Sequence, residues 1–474
     1  MIRIFYFSNY FSFVKIISCV VVLFFAQGCA PFFVPNPPAS SAEEQTEGIR
    51  KAVEAAPERK VRTNEIDFGR AFEEAEVEAV NNTASLPRQY ISFTVRKRPV
   101  RVLVKRNVKD AVVYSAAQVK VRTAGGVASF KGRMHVEASS ETAAVAVVSG
   151  NSKRKLSLPC TLSVNSAGHL LELGGDSYRG ELIIVSENGK TLSFVNVIDI
   201  EEYLRGVVPL EIGALKEQEI EAVKAQAVAA RTYTYRKMAA SGTNFFDLVS
   251  TVADQVYGGA NAEKEACDMA IRRTKDLIMT FNNTVAGAFY HSTCGGKTAN
   301  IEDVWGGESL AYLRSVSDTD PDGNAYCGFS RAFTWEESWS NTQLGKIFAR
   351  FSPEGGVSPS FNGTLHSLRI RERFSCGRVK ACAIESSGGT FIIGGDRVRF
   401  LIRSNSASNP ILRSSNFTIE TANNDKVVIK GRGYGHGIGM CQTGAIGRAR
   451  AGQSFEQILF AYYSGVTIAS VASK

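Results

Sequence analysis

Glu211 is the residue of this chain whose neighbours best suit acid–base chemistry. It lies in the segment 205–213, among apolar residues that include Val208, Leu210 and Ile212. A carboxyl group held among aliphatic side chains is partly desolvated, which favours its protonated form and lets it donate a proton near neutral pH. Most glutamates lie at protein surfaces, so an exposed loop residue is the alternative interpretation.

The segment 217–235, shortly after Glu211, predicts a tightly packed helix. Apolar side chains recur in it at helical spacing, at Ile220, Val223, Ala227 and Ala230. Lys224 and Arg231 lie seven residues apart on another face. Acidic residues in the first turns complement the helix dipole. We expect this helix to form one side of a cleft that contains Glu211.

The segment 205–235 resembles the signature of the SpoIID/LytB family, which is named for stage II sporulation protein D and the amidase enhancer LytB. Further motifs of that family follow in the same order, at residues 250–259, 288–298, 304–307, 312–318 and 433–445. Residues 455–468 then close the domain. The resemblance begins near residue 194 and leaves the earlier part of the chain uncovered.

The resemblance implies a peptidoglycan lytic transglycosylase that cuts glycan strands lacking stem peptides and requires no cofactor. Glu211 would protonate the oxygen between N-acetylmuramic acid and N-acetylglucosamine. As a carboxylate it would then take the proton of the muramic acid C6 hydroxyl, giving a 1,6-anhydro product. Ordinary glycoside hydrolases need a second carboxylate; Asp254 and Asp303 are the candidates, and Asp254 could equally brace a loop.

The remaining candidate substrate contacts flank the expected cleft. They are Lys224, Gln226 and Arg231 on the helix, His291 in the motif 288–298, and His436 and Gln442 in the glycine-rich motif. We expect the glycines of residues 433–444 to bring the backbone close to a sugar strand. A phosphate-binding loop is disfavoured, because the motif has no Gly-Lys-Ser/Thr ending.

Histidine and cysteine side chains also predict a metal centre. His291, Cys294 and Cys327 are the candidate ligands of a structural zinc, and His436 and Cys441 belong to the same group of motifs. A Cys294–Cys327 disulfide is the alternative in an oxidising compartment. Two further predictions concern the other cysteines: Cys376 and Cys382 form a local structural pair, and Cys160 and Cys267 pack as small hydrophobic residues.

The first 28 residues predict an export signal, because Arg3 and Lys15 precede an apolar run that is too short for a comfortable membrane span. We expect lipidation at Cys29, which would anchor an exported protein facing the periplasm or cell wall. Cleavage by ordinary signal peptidase and an uncleaved anchor are the alternatives. Residues 29–90 begin with a stretch rich in proline and small residues, which predicts a flexible tether.

The rest of the chain predicts an α+β protein in two parts. Residues 91–190 form a β-rich N-terminal domain, with alternating segments at 100–104, 112–114, 143–148, 171–173 and 182–185. Residues 191–470 form the SpoIID-like catalytic domain. A β subdomain interrupts it, with strands expected at 367–372, 390–393, 397–403 and 426–429.

Charge and motif content limit the alternative functions. The net charge of +9 suits an anionic partner such as a cell-wall polymer or membrane surface. Nucleic acid is disfavoured as a partner, because the chain has no recognisable nucleic-acid-binding motif. The expected export signal also makes contact with nucleic acid uncommon. Two other classes stay open: a noncatalytic wall-binding enhancer of an amidase, and a cysteine peptidase with Cys294 as nucleophile and His436 as base.

Overall fold

The computed structural model describes residues 90–95, 97–148, 152–164, 168–213, 215–242, 244–408, 410–422 and 425–473. These residues form a mixed α+β structure, which confirms the predicted fold class. The expected export signal, Cys29 and the tether lie outside the described residues, apart from Tyr90. None of the helices in the described part has the length and apolar character needed to cross a membrane.

Most of the N-terminal strands belong to one eleven-stranded sheet. In chain order the strands are β1 (Ile91–Val95), β2 (Val100–Val108), β3 (Asp110–Thr123), β4 (Gly126–Ser140), β5 (Ala143–Val148), β6 (Ser152–Ser157), β7 (Cys160–Val164), β8 (Leu171–Leu173), β9 (Asp176–Tyr178), β10 (Glu181–Val185), β11 (Leu192–Ile198) and β12 (Leu248–Val249). All five predicted segments of this region are strands. In β3, inward residues such as Val113, Val119 and Val121 alternate with exposed ones, as expected for a sheet with one solvated face.

The helices follow the sheet in the chain. They are α1 (Ile200–Arg205), α2 (Val208–Ile212), α3 (Ile220–Ala240), α4 (Glu265–Arg273), α5 (Ile301–Trp305), α6 (Asn341–Gly355), α7 (Val398–Leu401), α8 (Gln442–Arg450) and α9 (Phe455–Tyr462), with 3₁₀ turns at Glu217–Glu219, Gly259–Ala262 and Gly395–Arg397. The predicted helix after Glu211 is α3, and it continues to Ala240. It is buried on most of its surface and contacts α2, α4, α8 and α9. Its many alanines let these neighbours approach closely.

The β-rich region and the helical region share one hydrophobic core. Val102 of β2, Leu204 of α1 and Val228 of α3 belong to the same cluster of buried residues. Strand β11 pairs with both β2 and β10, and β12 pairs with β2. The structure therefore has no break at residue 190, where the sequence suggested a domain boundary. The strand pairing crosses that position.

The interposed subdomain has a core of its own. Its strands are β16 (Thr334–Ser340), β17 (Leu365–Arg373), β18 (Val379–Ser386), β19 (Gly389–Gly394), β20 (Phe417–Ala422) and β21 (Lys426–Arg432), in two three-stranded sheets. The predicted strands at 367–372, 390–393 and 426–429 are confirmed. The predicted strand at 397–403 is wrong, because most of it lies in a 3₁₀ turn and α7. Val398, Leu401 and Ile402 are all buried, and this spacing suits one side of a helical turn better than one face of a strand.

The remaining strands join distant parts of the chain. They are β13 (Leu277–Phe281), β14 (Thr284–Val285), β15 (Tyr290–His291), β22 (Met440–Cys441) and β23 (Thr467–Ser473). Strand β23 lies between β1 and β13. The short parallel pair of β15 and β22 aligns Tyr290 with Met440 and His291 with Cys441. Two of the sequence motifs are thereby adjacent.

Some of the cationic side chains behind the net positive charge form ion pairs within the fold. Asp247, whose side chain is fully buried, forms ion pairs with Arg98 at 2.6 Å and Arg101 at 2.8 Å. Lys97 pairs with Asp276 at 2.9 Å. These cations therefore hold β2 and the segment before it against the helical region, and contribute less to a surface for anionic partners than their number in the sequence suggests.

Candidate active site

Glu211 is held by hydrogen bonds from two other segments of the chain. It lies on the short helix α2, which Gly213 ends with φ 86°, and not in an open turn. Its Oε1 accepts a hydrogen bond from the Val256 backbone N–H at 2.8 Å. Its Oε2 accepts one from Gln442 Nε2 at 3.3 Å. The carboxyl group therefore has a fixed position at the junction of three sequence motifs.

The surroundings of Glu211 favour its protonated form. Burial raises the pKa of the carboxyl group to about 7, although the hydrogen bonds from Val256 and Gln442 favour the charged form and act in the opposite direction. At neutral pH both protonation states are therefore well populated. A group of this kind can donate a proton and afterwards accept one.

The two candidate partner carboxylates serve other contacts. Asp254 Oδ1 accepts a hydrogen bond from Tyr233 Oη at 2.9 Å and pairs with Lys237 Nζ at 2.7 Å. Its Oδ2 accepts the Val249 N–H at 2.8 Å. Asp303 Oδ2 accepts Asn300 Nδ2 at 2.9 Å. Both acids brace loops, and in the part of the chain that the structure describes no acidic side chain is hydrogen-bonded to Glu211.

A network of tyrosine hydroxyls lies near Glu211. Tyr290 donates to Gln255 Oε1 at 2.8 Å, and Gln255 Nε2 lies 3.2 Å from Tyr203 Oη and 3.0 Å from Thr234 Oγ1. Burial, followed by the charge of Glu211, raises the pKa of Tyr290 well above its usual value. The hydroxyl stays protonated. The sequence did not reveal this network, because its members lie far apart along the chain.

A row of partly exposed aromatic rings runs from Tyr233 to His436. Ring centroids are 6.0 Å apart between Tyr233 and Phe289, 4.8 Å between Phe289 and Trp305, and 5.1 Å between Trp305 and His436. Burial and Asp254, with a smaller contribution from Glu211, raise the pKa of Tyr233 well above its usual value. We call Tyr233, Phe289, Trp305 and His436 the aromatic row. It offers apolar ring faces beside the acidic group.

Both predicted site histidines are bonded to backbone. His436 Nε2 donates to the Tyr290 carbonyl at 2.9 Å, and its Nδ1 accepts the Ile438 N–H at 3.0 Å. Burial lowers the pKa of His436 to about 4, so the ring is neutral at physiological pH. His291 Nδ1 lies 3.2 Å from the Ile438 carbonyl, and its buried Nε2 has no hydrogen-bond partner among the described residues. Both ring nitrogens of His436 are therefore engaged by backbone, whereas one ring nitrogen of His291 is not.

Of the three predicted contacts on α3, Arg231 and Gln226 are buried in this structure, whereas Lys224 is partly exposed. Arg231 is fully buried and binds Glu201 through two nitrogens, at 2.8 and 2.7 Å. Gln226 is also fully buried. Lys224 pairs with Glu221 at 2.6 Å within the helix. The buried Gln226 amide has no hydrogen-bond partner in the part of the chain that the structure describes. Among the predicted contacts, Gln442 is the one that is hydrogen-bonded to Glu211.

The glycine-rich motif packs on the chain beside β15. A Cβ at Gly439, where φ is 67°, would lie 2.1 Å from the Phe289 carbonyl oxygen. A Cβ at Gly435 would lie 2.9 Å from His291 Cβ. These two glycines are needed for the close approach of protein backbone, and not for approach to a sugar as the sequence suggested. This packing places Gln442 against Glu211.

Four buried side chains with metal-ligand atoms lie together, one of them in the motif 288–298. Cys294, Asp318, Cys327 and Cys441 have one such atom each, all within 4.8 Å of one another. We call them the thiol cluster. The cluster differs from the predicted set: His291 is not among its members, whereas Asp318 and Cys441 are.

The cysteines of the thiol cluster are not joined by disulfide bonds. Cys294 Sγ and Cys327 Sγ are 3.5 Å apart, well beyond the ~2.05 Å of a disulfide. The prediction that Cys376 pairs with Cys382 is wrong, since both are free and lie in different hydrophobic cores. Cys160 and Cys267 are buried as predicted. The cysteine peptidase alternative has no support, because Cys294 is buried and both ring nitrogens of His436 are bonded to backbone.

Comparison with known proteins gives two family matches. The model of the family described as Stage II sporulation protein (SpoIID) matches residues 188–281, which contain Glu211, α3 and Val256. A domain of unknown function (DUF8618) matches residues 323–439, which contain the interposed subdomain. The site thus combines residues of the first match with Phe289, Tyr290, Trp305 and Gln442, which lie outside both matched regions.

Full-length relatives extend the first match. The chain is 30% identical over 295 residues to Stage II sporulation protein D of Bacillus amyloliquefaciens, covering 59% of this chain and 76% of that protein. The chain belongs to the SpoIID family. An uncharacterised protein from Brachyspira hyodysenteriae is 31% identical over 297 residues, which is 62% of this chain and 73% of that protein. The amidase enhancer of Bacillus subtilis is 30% identical over 295 residues, but these cover only 40% of the enhancer and 56% of this SpoIID-family chain.

Proposed function

We propose that this chain is a lytic transglycosylase that cleaves the N-acetylmuramic acid–N-acetylglucosamine bond of peptidoglycan strands lacking stem peptides. The observation that carries the proposal is Glu211. It is a single carboxyl group with a pKa near 7, hydrogen-bonded to Val256 and Gln442 and to no second acid within the described residues. Glycoside hydrolases of either stereochemical class need two carboxyl groups.

One carboxyl group suffices when the substrate supplies its own nucleophile. Protonated Glu211 donates its proton to the glycosidic oxygen while the bond from that oxygen to C1 of the muramic acid breaks. The resulting carboxylate takes the proton of the C6 hydroxyl, whose oxygen forms the new bond to C1. The products are a 1,6-anhydro-muramic acid end and a free hydroxyl on the leaving sugar. Glu211 is protonated again, and no water is consumed.

The contacts of Glu211 suit both halves of this reaction. Burial favours the protonated acid needed at the start. The N–H donors of Val256 and Gln442 stabilise the carboxylate formed when the proton leaves. Because the two effects leave the pKa near neutral, neither protonation state is trapped.

The aromatic row supports a carbohydrate as substrate. Sugar rings present apolar C–H faces, and an aromatic ring beside the acid can bury such a face at little cost in conformational entropy. Phe289 and Trp305 are partly exposed, as is Tyr434 of the glycine-rich motif at 40%. These rings would hold a strand across Glu211.

The family relationship supports a cell-wall location and a protein partner. A relative is an amidase enhancer, so the proposal includes an N-acetylmuramoyl-L-alanine amidase as a partner. Such an enzyme produces the denuded strands that the proposed reaction consumes.

Export and lipidation at Cys29 complete the proposal. Cys29→Ser should release the protein from membranes, and unchanged fractionation would argue against the anchor.

A defined substrate tests the proposal. Purified protein is incubated with glycan strands from which an amidase has removed the peptides, and the products are separated by mass. New 1,6-anhydro-muramic acid ends are expected from the protein alone. Release of reducing ends would show hydrolysis. No product, together with faster peptide release when intact wall and amidase are supplied, would establish the noncatalytic enhancer instead.

A further inference from the structure

We propose that Cys294, Cys327, Cys441 and Asp318 form a four-coordinate site for Zn²⁺. The site is structural, because all four ligand residues are buried, whereas a catalytic zinc keeps one position open for water or substrate. It does not include His291 and does not depend on the chemistry proposed for Glu211.

The spacing of the ligand atoms fits a tetrahedral ion. Zn–S bonds of about 2.3 Å place two sulfur ligands about 3.8 Å apart, and a sulfur and an oxygen ligand about 3.5 Å apart. Cys294 Sγ lies 3.5 Å from Cys327 Sγ and 3.3 Å from Asp318 Oδ2. A small outward adjustment would admit the metal, whereas a Cys294–Cys327 disulfide would require the sulfurs to close to ~2.05 Å.

Backbone donors already point at the sulfur atoms. Cys441 Sγ accepts the N–H groups of Cys294 at 3.1 Å and of Gly444 at 3.2 Å. Cys294 Sγ accepts the Gly296 N–H at 3.3 Å. Hydrogen bonds of this kind favour thiolate, the form in which cysteine binds metal.

Asp318 is oriented as a ligand by its own partners. Tyr462 Oη and Arg448 Nε bind Oδ1 at 2.8 and 3.0 Å, which leaves Oδ2 facing Cys294. Three thiolates and a carboxylate carry two more negative charges than Zn²⁺ neutralises. The Arg448 guanidinium offsets one of them. Outer contacts that fix a ligand and balance charge are typical of built metal sites.

An open cavity of about 610 Å³ lies beside the loops that carry the ligands. It is lined by Gly295 and Gly296, which follow Cys294, and by Thr319 and Ala325, which lie close in sequence to Asp318 and Cys327. None of the four ligand residues lines this cavity, and all four are buried.

The proposed site would fix the position of Gln442. Cys441 is the N-cap of α8, where its Sγ accepts the Gly444 N–H, and the next residue, Gln442, contacts Glu211. Metal bonds to Cys294 and Cys327 would tie the start of α8 to the loops after β15 and before β16. Loss of the metal should therefore loosen the active site as well as the fold.

Metal analysis of the full chain tests the proposal. Protein purified without chelator and with reductant should contain about one zinc per chain, and Co²⁺-loaded protein should show the intense thiolate-to-cobalt absorption of a tetrahedral site. Cys441→Ala should abolish that absorption. Asp318→Asn, which can still accept the bonds from Tyr462 and Arg448, should weaken zinc binding by at least the roughly 10- to 100-fold that loss of an outer contact costs, because it replaces a ligand.

Two control variants separate this site from its alternatives. Cys160→Ala removes a buried thiol outside the cluster and should leave zinc content unchanged. His291→Asn should also keep the zinc, whereas its loss there would restore His291 as a ligand and overturn the proposed set. Zinc well below one per chain, with a Cys294–Cys327 disulfide found by peptide mass mapping before reduction, would overturn the site itself.

Discussion

Gln442 Nε2 donates a hydrogen bond to Glu211 Oε2 at 3.3 Å, although the two residues are 231 positions apart in the sequence. The contact depends on the packing of the glycine-rich motif against β15, since Gln442 begins α8 directly after β22. Together with the Val256 N–H it fixes the position of the proposed acid and partly offsets the rise in pKa that burial causes. Any change that moves α8 should therefore change catalysis without touching Glu211.

Glu211→Gln should almost abolish formation of 1,6-anhydro ends. The amide keeps the size of the side chain but can neither supply nor take the proton, and loss of general acid catalysis costs roughly 10²- to 10⁴-fold in rate, or about 3 to 5 kcal/mol of barrier. Asp303→Asn, in which only a loop contact changes, is the matched control and should stay active. A Glu211→Gln protein that works at near wild-type rate would eliminate Glu211 as the acid.

The rate should fall as the pH rises above about 7. Only protonated Glu211 can start the reaction, and burial holds its pKa at about 7, so well above that value each pH unit should cost tenfold in kcat/KM. Gln442→Leu removes a donor that favours the carboxylate, which should raise the pKa and move the alkaline limb upward by up to about one unit. A limb that stays in place would show that Gln442 does not influence the acid.

Glu211→Gln should also make the fold more stable at pH 8. The native pKa of about 7 is above the ordinary value of 4.5, so the folded chain binds the proton more tightly than the unfolded chain. Below pH 4.5 Glu211 therefore costs the fold no stability. As the pH rises from 4.5 to 7 the free energy of unfolding falls, and above pH 7 the loss reaches on the order of 3 kcal/mol. Thermal unfolding of both proteins at pH 8 and pH 4 measures this difference. Equal shifts at both pH values would contradict it.

The sequence predicted the local elements well and the long-range partners poorly. The helix α3 and the strands of the N-terminal region follow from apolar periodicity over a few residues, whereas Glu211 stands out through its apolar neighbours and the family motifs. Whether Arg231 meets solvent depends on Glu201, thirty positions earlier, and periodicity carries no information about such a partner. The spacing of His291 and Cys294 suggested a shared ion, but local spacing likewise says nothing about ligands from distant segments. The chain instead turns His291 towards the Ile438 carbonyl and brings in Asp318 and Cys441 from other motifs.

Arg231→Met should destabilise the protein without a specific effect on substrate binding. The Arg231 side chain is fully buried and its pair with Glu201 is only partly exposed, so removing one partner leaves a poorly solvated charge and costs about 3 to 5 kcal/mol. Lys430→Met is the control, because its pair with Glu420 is about half exposed and is worth at most about 1 kcal/mol. Denaturant unfolding compares the two. A stable Arg231→Met protein with weakened glycan binding would return Arg231 to the substrate site.

Trp305→Ala should weaken strand binding roughly tenfold while leaving the acid intact. Trp305 lies between Phe289 and His436 in the aromatic row, and loss of an aromatic contact of about 1.4 kcal/mol corresponds to that factor. The measurement is best made in the Glu211→Gln background, where denuded strands bind without being cut. Phe460→Ala removes an aromatic side chain that is 46% exposed and lies outside the row, and this variant should bind strands normally.

In the otherwise wild-type protein, Trp305→Ala should raise KM and keep the pH profile of kcat, because neither hydrogen bond to Glu211 involves Trp305. Unchanged binding, or a shifted pH profile, would remove the aromatic row from the substrate groove.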